Sequence, residues 1–171
     1  MDTIIVGFSR PKSIWVPFAW LIRLITWSSM SHAYIKYYNS YADRWVVFQA
    51  SGLKVNLIGQ TMFDSIENVC AEFSIPVSAA TKQKIVQGAF DKIGSPYAVG
   101  QILGFGWVLL MRLFGKKVTN PLYSTSSFFC SEMADEDLNE MGLNGLDPSA
   151  VSPKDVYLFL LSKGFKPISA T

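Results

Sequence analysis

Apolar and polar positions follow a two-residue rhythm through much of the first half of the chain and a helical rhythm through the second. Residues 3–8 form a short run rich in β-branched side chains, stopped by Pro11, and predict a first strand. Phe18, Leu21, Ile22 and Ile25 recur at helical spacing over residues 18–27, with Arg23 on the other side. Residues 33–38 and 45–50 flank a polar turn at 39–44 and predict a hairpin in which Tyr38 pairs Trp45 and Tyr34 pairs Gln49. Over residues 69–75 the alternation is clean, with Val69, Ala71, Phe73 and Ile75 on the buried face. Cys70, Glu72 and Ser74 take the phase that leans to solvent, where a thiol is inert.

Three helices follow. Thr81 is placed to cap a helix with the stripe Ile85, Val86, Ala89, Phe90 and Ile93, closed by Gly94. Ser127 opens a second helix through Met133, Leu138 and Met141, closed by Gly142; its Glu132, Asp135, Glu136, Asp137 and Glu140 read as a solvated face. Ser152-Pro153 opens the third, with proline at the first helical position and Gly164 past the end. Strands first and helices mostly later predict an α+β fold rather than a βαβ series.

Composition narrows the function classes. The 171 residues suit one domain, 1–171, and need no disulfide or metal to hold a core. Half the residues are hydrophobic and 16% are charged, which excludes a disordered chain. A net charge of +2 is too small for a nucleic-acid footprint, so no nucleic-acid partner is expected. One histidine and two cysteines, with no CxxC, cannot make a His/Cys zinc site, and no metal or cofactor is expected. The N-terminus has no basic region or small-residue cleavage site, so a cytoplasmic protein is expected. The uncharged run 98–111 is shorter than a spanning helix requires. It ends in Arg112, Lys116 and Lys117, so the segments 14–22 and 98–114 are either core or membrane-facing. A hydrophobic helix covering the sheet is the first reading, and peripheral membrane contact through residues 98–117 is the other.

Three side chains carry candidate chemistry. Cys130 falls in the first turn of the second predicted helix, where free N–H groups and the macrodipole favour a thiolate and an oxyanion. A small buried hydrophobe is the alternative for it. His32, the single histidine, is the one side chain suited to act as a base near neutral pH, and a structural imidazole is its alternative. In the hairpin register, Gln49 shares the face of His32 as a diagonal neighbour, about 7–8 Å away at Cα. Its amide either orients the imidazole or is a satisfied core amide.

Four local patterns carry a resemblance. Ser31-His32-Ala33-Tyr34-Ile35, Val47-Phe48-Gln49-Ala50, Gly94-Ser95-Pro96-Tyr97 and Phe128-Phe129-Cys130-Ser131-Glu132 occur in the order seen in the circularly permuted branch of the NlpC-type papain-fold cysteine hydrolases, the YiiX-like amidase group. Ser152-Pro153-Lys154-Asp155 resembles the start of that group's final helix. The match spans about residues 3–160, and the histidine precedes the cysteine, as a permuted papain fold requires. The resemblance implies a permuted papain-like antiparallel sheet packed with helices. Cys130 becomes the nucleophile, His32 the base and Gln49 the orienting residue, where the group often has a carboxylate. Tyr97 and Ser131 become substrate-binding residues. The implied activity is a thiol-dependent amidase or peptidase, with peptidoglycan stem peptides the first substrate class. Two other readings stay open: an acyl hydrolase or acyltransferase on lipid esters, and a non-catalytic membrane-associated binding module of the same fold. The expected partner is accordingly a small peptide, cell-wall or lipid-like substrate.

Overall fold

The computed structural model describes residues 2–13, 17–51, 54–96, 104, 106–108, 110–111, 114–116, 118–122, 130–147 and 151–170. The elements run β1 (Asp2–Pro11), α1 (Pro17–Thr26), β2 (His32–Asn39), β3 (Arg44–Ser51), β4 (Lys54–Gly59), α2 (Gln60–Ile66), β5 (Glu67–Val77), α3 (Ala79–Lys92), α4 (Cys130–Glu140), α5 (Pro153–Ser162) and β6 (Ser169–Ala170). The strands form one antiparallel sheet in the order β4-β3-β2-β1-β5-β6, so the fold is α+β.

β1 lies inside the sheet, between β2 and β5, and residues 4–9 are buried on both of its faces. Ile4, Val6 and Phe8 join Ala33, Ile35, Phe73 and Ile75 in the main core, which Ile85 of α3, Ala134 and Leu138 of α4 and Val156 and Leu160 of α5 close. On the reverse face Tyr34 and Val47 pack against Phe63 of α2. The hairpin has the expected register next to its turn, with Tyr38 opposite Trp45, but the ladder ends at Ile35 and Phe48, so the expected Tyr34–Gln49 pair is not made: each strand turns to its outer neighbour there. β4 and α2 were not legible in the residue pattern. β4 is a short edge strand whose central positions are only half buried, so its alternation is faint.

Helix boundaries follow local chemistry. The expected capping by Thr81 is corrected: Ser78 caps α3, accepting a hydrogen bond from the Thr81 N–H at 3.0 Å, because the helix starts three residues earlier. Ser152 and Asp155 form a reciprocal capping box at α5, with Pro153 in the first turn. Of the stripe expected on α1, only the Ile22 side chain is described, and it is buried.

Two expectations about polar faces are overturned. Glu72 is buried, because Lys36 from β2 pairs with it at 2.6 Å and the Tyr34 hydroxyl donates to it at 2.7 Å. Gly7 makes room for this arrangement: a Cβ there would stand 2.1 Å from the Tyr34 ring. The acidic face of α4 is not uniformly solvated either. Glu136 and Glu140 reach the lysines Lys92 and Lys84 of α3, whereas Glu132, Asp135 and Asp137 are buried. Burial pushes the Asp137 carboxyl up to about 7, against the opposing charge of Lys92.

No helix among the described residues is long and apolar enough to cross a membrane. In the apolar run, the described residues 104, 106–108 and 110–111 are helical; Val108 is buried, while Trp107, Leu110 and Phe114 are exposed.

Candidate active site

The site grows out of a fork in the sheet. β2 and β3 pair from Asn39 and Arg44 as far as Ile35 and Phe48, and there their ladder stops. β2 continues to His32 against β1, and β3 continues to Ser51 against β4. Each strand stays bound to its outer neighbour while the two separate from one another. The N-terminus of α4 fills the opening, and Cys130 packs among Phe48, Ala50, Val55, Ala89 and Met133.

A side-chain bond crosses the fork: His32 Nε2 and Gln49 Oε1 are 2.7 Å apart. Its direction follows from the neighbours. Asn56 Nδ2 donates to the Ser51 and Lys54 carbonyls, each at 3.3 Å, and a carbonyl can only accept. Asn56 Oδ1 therefore faces Gln49 and receives its Nε2 at 3.2 Å, which turns Gln49 Oε1 toward the imidazole. An amide oxygen accepts, so Nε2 of His32 carries a proton. Nδ1 is left as the nitrogen available to the neighbouring Cys130 thiol, on which His32 acts. The Tyr34 ring stacks beside the imidazole, with centroids 6.4 Å apart.

Electrostatics favour a charged pair. Burial by itself would raise the Cys130 thiol, but the hydrogen bond and charge of His32 outweigh it. The N–H groups of Ala33 and Ser131 add to this, and the thiol is held below its ordinary value. The Ala33 N–H belongs to the stretch of β2 that β3 no longer pairs, so the fork itself supplies a donor to the sulfur. Burial opposes charge on His32; Cys130, then Glu67 and Gln49, override it and push the imidazole up to about 9. Each shift thus favours the charged form of its own group, thiolate for Cys130 and imidazolium for His32. Cys70 behaves differently: it is half-buried on β5, burial pushes its thiol up, and it has no imidazole beside it.

The structure thus brings Cys130, His32 and Gln49 together. The Ser131 side chain points elsewhere: it is fully buried and donates to the Val151 carbonyl at 2.8 Å, so only its main chain faces the site. Tyr97 and Ser127 lie outside the described residues. Asn56, the Ala33 N–H and Glu67 were not legible beforehand, since each acts only through strand neighbours far from the Cys130 and His32 motifs.

No protein-family model matches the chain, and no curated protein matches it. Among solved structures it is similar to that of metalloprotein YiiX from Escherichia coli O157:H7, DUF1105, at 17% identity and a TM-score of 0.61, covering 99% of this chain and 96% of that one. The shared fold is therefore YiiX-like. The donor set here does not fit a metal centre: His32 and Cys130 are engaged with one another. Among the described residues no group of three or more His, Cys, Asp or Glu converges on a point.

Proposed function

We propose that the chain is a thiol hydrolase of the circularly permuted, NlpC-type papain fold, acting on an amide or peptide bond. The observation that carries this reading is the juxtaposition of Cys130 and His32, each acting on the other's charge, with Gln49 fixing the imidazole by its bond at 2.7 Å. A thiolate at the start of a helix, a base in contact and a third group orienting that base are the parts nucleophilic catalysis requires.

The Cys130 thiolate attacks the substrate carbonyl. The proton on His32 Nδ1 passes to the leaving amine, and the C–N bond breaks to give a thioester. His32, now neutral, takes a proton from water as its oxygen attacks the thioester, and the acid and the free thiolate are restored. No step passes through a metal. Peptidoglycan stem peptides are the first substrate class. Lipid esters are the second, favoured by the exposed Trp20, Leu24 and Trp27 on and just after α1, the helix that leads into the His32 strand.

The test is to incubate the protein with amide, peptide and lipid-ester acyl reporters, quench in acid, and measure its mass. An acyl adduct confined to Cys130 is expected, and the reporter that forms it names the bond class. Adducts on neither cysteine, or on Cys70 alone, would refute the hydrolase. Brief iodoacetamide treatment at pH 7 should likewise label Cys130 ahead of Cys70, and His32→Ala should remove that preference.

Gln49→Ala should lower turnover about 10- to 100-fold, the value of one buried hydrogen bond that sets a tautomer. Asn56→Ala should cost less, because it frees the Gln49 amide to flip without removing it. Steady-state rates of the two variants, with circular dichroism to confirm folding, check this order.

A further inference from the structure

We propose that Glu67 is a positioning carboxylate, held by Ser9, that stabilises the charged imidazole of His32 while Gln49 orients it. This deepens the hydrolase reading and rests on it, since it assumes that Cys130 and His32 react as a pair.

The geometry comes from three adjacent strands. Ser9 of β1 is the residue opposite His32 of β2, and directly opposed residues put their side chains on one face, about 5 Å apart at Cβ. The buried Ser9 hydroxyl donates to Glu67 Oε2 of β5 at 2.8 Å, and Glu67 is itself buried. A register shift makes this possible. Phe8 pairs Ala71 but Ser9 pairs Val69, so Cys70 is the extra residue of a β-bulge. Without the bulge Ser9 would oppose Cys70, and Glu67 would fall on the other face of the sheet. With it, Glu67, Ser9 and His32 share one face. One inserted residue thus aims a carboxylate at the imidazole's side of the sheet.

The chemistry explains why such a group would be there. Gln49 is an amide: it fixes the ring but adds no charge to balance an imidazolium. Glu67 contributes that charge, and its field raises His32. The groups that act on His32 are Cys130 from α4, Glu67 from β5 and the neutral Gln49 from β3. Around Glu67, Arg10 of β1 and Arg23 of α1 act on the Cys70 thiol, as Glu67 does. The ammonium of Lys12 is bound to the Asp64 carbonyl.

The single histidine makes the test direct, because one imidazole appears in the NMR titration. Glu67→Gln should lower its midpoint by about one pH unit. Glu67→Asp should keep most of the raised midpoint, which a purely structural role would not separate from Glu67→Gln. Cys130→Ala, with Glu67 intact, gives a reading that needs no change at Glu67. Its imidazole should still titrate at or above the ordinary value of about 6.5 despite burial. An unchanged midpoint in Glu67→Gln, or a midpoint well below 6.5 in Cys130→Ala, would overturn the proposal. Lack of any acyl adduct alongside an intact midpoint shift would sink the hydrolase and leave this role standing. Normal adducts with an unshifted midpoint would do the reverse.

Discussion

Cys130→Ala should reduce turnover of an acyl reporter to background, a loss of about 10⁴- to 10⁶-fold. The bond-forming atom is gone, and the hydroxyl next to it in the chain cannot replace it: Ser131 is turned to the Val151 carbonyl. His32→Ala should lose nearly as much, because burial then raises the thiol with no imidazolium to oppose it. The double variant should be no worse than either single one, since each disables the same unit. Losses that multiply would mean the two residues act separately. The pH profile carries the same logic with a defined sign. The active pair requires an ionised thiol and a charged imidazole, so activity should rise on the acid side below the ordinary thiol value. It should fall as the pH passes about 9, where His32 loses its proton. An alkaline limb near 6.5, the ordinary imidazole value, would show that the charged pair does not form.

Asp137→Asn should stabilise the protein at pH 8 and change little near pH 4. Burial holds the folded Asp137 carboxyl near 7, against 3.8 for an exposed one. Because the folded value is the higher, the folded state binds the proton more tightly. Its contribution is complete below about pH 4 and disappears as the pH rises through about 7. The shift of about three units sets a ceiling on the order of 4 kcal/mol for the cost of ionising this group in place. Asparagine keeps the shape without the charge, and Asp137 Oδ2 has no hydrogen-bond partner to lose. Urea unfolding of both proteins at pH 4 and pH 8 measures the difference. Equal destabilisation at both pH values would show that the carboxylate is paired when folded.

The amino-acid sequence by itself determined the parts whose signals are local. The strand period over Ala71, Phe73 and Ile75, the hairpin register next to its polar turn and the Ser152-Pro153 start of α5 all lie within a few neighbouring residues and are present in the structure, whereas Val69, expected on the same face, is turned to the other by the bulge at Cys70. Cys130, His32 and Gln49 were legible as candidates for the same reason: each sits in a short motif or at a fixed place in the hairpin. What the tertiary structure decided is where polar groups meet. Glu72 reads as solvent-facing until Lys36 and Tyr34 arrive from β2. The acids of α4 read as one solvated face until the sheet, α3 and α5 enclose part of it. The fork between β2 and β3, the fixed amide of Gln49 and the bulge that turns Glu67 toward His32 leave no mark in any short window of residues. Periodicity is a property of one segment, whereas the burial and charge of a polar side chain depend on partners from other strands. Only the folded sheet brings those partners within reach.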